Sequence, residues 1–262
     1  MRFSTTTLGA LLLAASATPA FAQETAPPPP ITINATAAVV TDYRFRGISQ
    51  TDNNAAIQGS ITVTHKSGFY ASVWGSSIDD YVTVAGTGHQ EIDLIAGYSH
   101  TIGGIKLDGG ILYYFYPKTK LAGDKSSSDF VEPYFDISTT IGPVTAKTTV
   151  NYAPKQKALA LDQGASGKLQ SRDNVYLADD FTVAIPKTPL GLTAHLGHSF
   201  GPSWLATDSN GKKGYTDWAL GATATYKMLT LGVSYVDTDA KFLSATKNVS
   251  KSGVVASLTA SF

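Results

Sequence analysis

The chain has 262 residues, with 20 Lys plus Arg against 20 Asp plus Glu, and only 15% of its residues are charged. Net charge is zero, which excludes a strongly basic nucleic-acid binder, and there is no Cys, which excludes disulfides, thiolate metal sites and a cysteine nucleophile. Outside the N-terminus no apolar run is long enough for a membrane-spanning helix, whereas 24 Gly, 13 Tyr and 11 Phe favour strands joined by many turns.

In chain order, Arg2, the apolar stretch Leu8–Ala20 and Ala20-Phe21-Ala22 have the layout of a secretory signal peptide over residues 1–22. Residues 23–30, with four consecutive prolines, then read as an extended linker. From Ile31 to Phe262 the hydrophobic period is two, the spacing of a strand with one apolar and one polar face. The first run is about sixteen residues long, with Ile31, Ile33, Val39, Tyr43 and Phe45 on one side and Thr32, Asn34, Asp42, Arg44 and Arg46 on the other. Further runs begin near Ile57, Gly68, Glu91, Ile105, Val131, Val144, Asn174, Leu190, Tyr215, Leu229 and Val254, giving twelve strands. Asp179-Asp180 interrupts the eighth, where the alternation predicts one carboxylate facing lipid, unless a β-bulge turns both inward or the pair stands above the bilayer.

Every second connection is short, as at Lys66-Ser67, Gly103-Gly104, Gly142-Pro143 and Lys227-Met228; the others are long and polar. That asymmetry predicts an all-β transmembrane antiparallel barrel, with short periplasmic turns and long extracellular loops, closed so that lipid meets no unpaired edge. Aromatics on the apolar faces fall into two belts. Tyr43, Phe45, Tyr113, Phe115, Tyr152, Trp218 and Tyr235 lie near the long loops, and Phe69, Tyr98, Tyr226 and Phe262 near the short turns. The competing fold, a secreted β-sandwich, would not alternate its loop lengths in this way.

Two segments are familiar. Val40-Thr41-Asp42-Tyr43-Arg44-Phe45-Arg46-Gly47-Ile48-Ser49-Gln50-Thr51 and Gly68-Phe69-Tyr70-Ala71-Ser72-Val73-Trp74-Gly75-Ser76 resemble the TorF family of porins of Gram-negative bacteria. Glu132-Pro133-Tyr134 and Tyr215-Thr216-Asp217-Trp218 are similar to it as well. The resemblance implies an outer-membrane barrel with a transport role and names neither a solute nor a catalytic residue.

Parity places Asp42, Arg44, Arg46, Lys66, Glu91, Asp93, Lys106, Asp108, Glu132, Asp136, Lys147 and Asp217 on the inward face, with Tyr114, Tyr116 and Tyr134 beside them. These are the candidate lining of a pore for small hydrophilic solutes, since charges around a narrow lumen set ion preference. Twelve strands lie between the barrels that side chains fill and those that stay open, so the same charges could instead pair and plug the lumen, leaving a structural or adhesive barrel that acts through its loops. Arg44 and Arg46 are expected at the extracellular mouth, either as a basic lip or as loop anchors. If Ile141 pairs with Val144, Asp136 and Lys147 become diagonal neighbours on one face.

A lipid hydrolase is the rival enzyme reading. His65, His89, His100, His195 and His198 stand in no nucleophile motif, and the strand period puts His195 and His198 on opposite faces. Glu91 and Asp93 share a face, but two carboxylates make a weak calcium site. No cofactor, metal or nucleic acid is implied. The expected partners are outer-membrane lipid and the barrel-assembly machinery, the latter through the terminal strand ending at Phe262.

Overall fold

The computed structural model describes residues 29–83, 88–117, 127–162, 169–201, 203, 205–244 and 247–262. The signal peptide and most of the linker predicted from the sequence fall outside the described residues.

The chain forms a closed antiparallel barrel of twelve strands. We number them β1 (Ile31–Val40), β2 (Ala56–His65), β3 (Phe69–Ser77), β4 (Gln90–Ile102), β5 (Ile105–Phe115), β6 (Phe130–Ile141), β7 (Val144–Ala153), β8 (Asn174–Ala184), β9 (Leu190–Phe200), β10 (Tyr215–Tyr226), β11 (Leu229–Thr238) and β12 (Gly253–Ser261). Each strand pairs with its sequence neighbours, and β1 closes on β12 through the register Thr36↔Ser261 to Val40↔Ser257. Backbone bonds in both directions between Ala35 and Phe262, 3.2 and 2.9 Å, extend that seam by one pair.

The alternation predicted from the sequence is the alternation seen. Ile57, Ile61, Leu94, Ile111, Phe135, Leu196, Leu220 and Leu258 are among the apolar side chains exposed on the outer surface, while Glu91, Asp93, Tyr114, Glu132 and Asp217 are buried inside. An outer apolar band around a polar interior is the inverse of a soluble protein and is what hydrocarbon requires. The belts hold at Tyr113, Phe115, Tyr152 and Tyr235 and, at the other end, at Phe69, Tyr98, Tyr226 and Phe262, all exposed. Short turns use residues that tolerate the left-handed region: Gly103 and Gly104, at φ 58° and 87°, make the two-residue hairpin between β4 and β5.

Inside the barrel, three tyrosines lie across glycines of a neighbouring strand. A Cβ at Gly197 would sit 2.6 Å from Tyr176 Cζ, one at Gly110 2.7 Å from the Tyr134 hydroxyl, and one at Gly97 2.5 Å from the Tyr70 hydroxyl. Absence of a side chain at these positions is what lets the rings lie flat along the wall.

Two expectations need correction, and a third, left open between alternatives, is decided. First, β1 ends at Val40, not near Arg46. Residues 41–55 leave the wall, and Arg44–Phe45 pairs with Ile48–Ser49 as a miniature hairpin. Tyr43 and Phe45 therefore do not belong to the outer belt: Tyr43 is 3% exposed, edge-on to Trp74, and Phe45 packs edge-on against Tyr114. Second, Lys66 is exposed in the turn between β2 and β3 and does not line the lumen. Third, no bulge occurs in β8, whose pairing with β9 runs unbroken from Val175↔Phe200 to Ala184↔Gly191. Asp180 faces in, and Asp179 faces out, accepting a 2.6 Å hydrogen bond from the Thr148 hydroxyl on β7.

Candidate functional site

The first long connection folds back into the lumen. Its tip is a two-residue turn at Arg46-Gly47, both with positive φ, 49° and 80°, the geometry that a tight hairpin needs. Gly47 is forced by contact as well, because a Cβ there would lie 2.8 Å from Cβ of Asp217. Positive φ at an arginine is strained, by ~1–3 kcal/mol. The strain is offset by what the side chain reaches.

Arg46 donates to both oxygens of Glu132, at 2.7 and 2.8 Å, and to Asn174 Oδ1 at 3.2 Å. Its guanidinium lies 4.1 Å from the centroid of Tyr176. Glu132 is 0% exposed and also accepts from Tyr114 and Asn151, both at 3.1 Å. Both bonds to Glu132 come from Nη2, while Nη1 is turned onto Asn174, so the charge-assisted contact holds the guanidinium from two sides. Higher up, Tyr43 and Tyr116 each donate to one oxygen of Glu91 at 2.7 Å, so both carboxylate oxygens are occupied by phenols. Asp93 lies beside it, 2% exposed, with Oδ1 unpartnered among the described residues.

Arg44 faces the other way. It donates to Asp42 at 2.5 Å, to the Gly47 carbonyl, to Asn53 Oδ1, and to the carbonyls of Val249 and Lys251 in the last long loop. Asp42 also accepts from Ser49 and Thr51. Lys247 of the last loop donates to the Asp52 carbonyl at 2.7 Å, tying the two loops again. Beyond β11, the Asp239 carboxylate pairs with Lys212 at 2.6 Å. Partial desolvation pushes its pKa up, but Lys212 and the Thr216 N–H hold it below the ordinary carboxylate range.

A second chain of contacts continues along the wall. Lys147 pairs with Asp180 at 3.1 Å, Asp180 with His195 at 2.7 Å, His195 with Asp217 at 3.0 Å, and Tyr176 donates to Asp217 at 3.1 Å. The register puts Ser138 opposite Lys147 and Asp136 on the same face, as expected from the Gly142-Pro143 turn. The ion pair nevertheless forms with Asp180, which is directly opposite Lys147 on β8, and Asp136 Oδ1 is left unpartnered among the described residues. Asp108 pairs with Lys106 at 3.1 Å and accepts from Tyr70 at 2.6 Å; Tyr70 in turn touches Tyr134.

The inward candidates thus divide. Glu91, Asp93, Tyr114, Tyr116, Glu132, Asp217 and Arg46 are brought together behind the inserted loop, where Trp74, Ile95, Leu112 and Phe130 pack with them. Lys106, Asp108, Tyr134, Asp136 and Lys147 lie further toward the short turns. Asp42 and Arg44 border an open-sided cavity between the loop and the wall of β9–β12, β1 and β2. Its remaining lining is Val40, Tyr43, Gln58, Thr193, Thr223, Gly232, Ser234, Val236, Val255, Ser257 and Thr259. The hydroxyls of that wall were not singled out in the sequence, because a lone inward Ser or Thr looks like any polar strand position. His195 faces in and His198 faces out against Phe200, as their spacing requires.

Comparison with solved structures shows the fold of outer-membrane porins. The NanC porin superposes with a TM-score of 0.59 at 14% identity, over 88% of this chain and 99% of that chain. The KdgM porin gives 0.52 at 8% identity, over 87% and 98%. No curated protein sequence matches. The model of one family, described as "Bacterial protein of unknown function (Gcw_chp)", matches residues 24–262; the TorF name itself is not what that match carries. The chain belongs to the Gcw_chp family.

Proposed function

We propose that this protein is an outer-membrane channel for small hydrophilic solutes, narrowed from within by its first extracellular loop. The observation that carries the reading is the open-sided cavity beside the inserted loop, whose lining extends from Asp42 to Thr223, three residues from the short-turn end of β10. Short turns then face the periplasm and long loops the exterior. The resemblance of residues 40–51 and 68–76 to TorF porins points the same way. Arg44 and Arg46 act in this reading as loop anchors and not as a basic lip, since each is engaged in a buried ion pair. No step of bond chemistry is assigned to the barrel.

Single-channel recording in a planar bilayer tests the proposal. Stepwise KCl conductance from purified, folded protein supports it. Silent insertion of folded barrels refutes it and leaves the plugged barrel acting through its loops, the reading favoured by the buried Arg46–Glu132 pair.

A further inference from the structure

We propose that the cavity is a binding wall for uncharged polyhydroxylated solutes, which rests on the channel reading and names its substrate class. The two halves of the lumen differ in kind. From β4 to β9 the inward face is rich in charged and aromatic side chains, and Glu91, Asp108, Glu132, Asp180 and Asp217 are engaged by arginine, lysine, histidine or phenol partners as described above. From β10 through β12 to β2 the cavity is lined by hydroxyls, an amide and glycine, interspersed with Val40, Val236 and Val255.

The charge bordering the cavity is one ion pair. Arg44 has Nε on Asp42, while Nη1 and Nη2 are turned onto backbone carbonyls and Asn53, and Asp42 is further covered by two hydroxyls. Neither presents an uncompensated charge to a solute. An anion or a cation entering a narrow, weakly solvated space without a counter-charge loses hydration that nothing returns.

The uncharged lining is equipped differently. Gln58 is 5% exposed, and its Oε1 has no partner among the described residues. Elsewhere in the lumen hydroxyls satisfy each other, as in Thr36–Ser60 at 2.7 Å, Thr62–Ser72 at 2.7 Å and Thr225–Thr230 at 3.0 Å. Thr193, Thr223, Ser234, Ser257 and Thr259 form no such pair among the described residues. Glycines leave room beside two of them: a Cβ at Gly191 would come 2.8 Å from the Thr223 hydroxyl, and one at Gly232 2.6 Å from the Ser257 hydroxyl. Each hydroxyl both donates and accepts, so a row of them suits a solute whose own groups do the same. A sugar or polyol matches that row without a charge.

Liposome swelling, run beside bilayer recording, tests the inference. Glucose and sorbitol are expected to enter faster than glucuronate and glucosamine of similar size. The variant carrying Thr193→Val, Thr223→Val and Thr259→Val keeps side-chain shape and removes three hydroxyls. Its glucose rate should fall by roughly fivefold for each hydrogen bond lost, with KCl conductance little changed. Thr223→Val alone serves if the triple variant does not fold. Faster entry of glucuronate or glucosamine than of glucose overturns the inference while leaving the channel reading intact, as does an unchanged glucose rate in a folded variant. No conductance and no swelling with any solute overturns the channel reading itself, and the inference with it.

Discussion

Replacing Glu132 by Leu removes the counter-charge that holds Arg46 inside the barrel. Both side chains are nearly inaccessible, at 5% and 0% exposure, so the guanidinium would be left unpaired where water does not reach. Breaking a buried pair from one side costs about 3–5 kcal/mol. At about 1.4 kcal/mol per factor of ten, the inserted loop loses roughly a hundredfold to a few thousandfold in its equilibrium over the released loop. The other anchors remain, Tyr43 on Glu91 and Arg44 on the last loop, so the barrel itself should still fold. Limited trypsin digestion reads the change directly, because Arg44 and Arg46 are themselves cleavage sites and are buried in the inserted state. When opening is fast relative to cleavage, the cutting rate follows the released population. Cleavage after Arg46, followed by mass spectrometry on folded protein, should therefore rise by about a hundredfold or more. In the double variant Arg46→Met, Glu132→Leu no charge is stranded, and protection at Arg44 should return toward the wild-type level. A rise below about fivefold in the single variant would mean that the pair contributes less than ~1 kcal/mol, and that the loop is held by something else.

Three further outcomes are expected. Gly197→Val should push Tyr176 off the wall and break its contacts with Asp217 and Arg46, lowering the thermal unfolding midpoint in detergent; an unchanged midpoint would show that the ring has room to move. Asp179→Leu replaces an outward carboxylate midway along β8, and stability in lipid vesicles should rise or stay level, whereas a loss of more than ~1 kcal/mol would reveal a partner for Asp179 beyond Thr148. Deleting Phe262 removes both the exposed terminal ring and the two backbone bonds to Ala35, so the fraction of heat-modifiable, membrane-inserted barrel should fall; full insertion would assign the terminal signal elsewhere.

Strands were readable because lipid imposes one rule on every outward position. Leu190–Phe200 and Tyr215–Tyr226 coincide with the runs seen in the sequence, and Asp136 and Lys147 share a face as their register predicts. The inserted loop was not readable, and the reason is specific. Arg44–Phe45 and Ile48–Ser49 are extended and alternate just as a longer β1 would, so period alone cannot tell a hairpin from a continuation. The available clue was Arg46-Gly47, a turn candidate inside a strand-like run. What settles the matter lies far along the chain, at Glu91, Glu132 and Asn174. The same distance hid the destination of Lys147, whose nearest acid by hairpin register is Asp136 and whose partner is Asp180, one strand further on.

The three tyrosines lying across glycines carry a consequence for how such a barrel can change over time. Tyr70 over Gly97, Tyr134 over Gly110 and Tyr176 over Gly197 are interlocked shapes on adjacent strands. Enlarging any of these glycines is blocked while its ring stays in place, and shrinking the ring first leaves a void that only the later substitution fills. Each pair must therefore drift together or not at all. Among relatives that have exchanged these residues, the six positions should vary as three linked couples, with bulk passing from one strand to its neighbour while the sum across each couple stays nearly fixed.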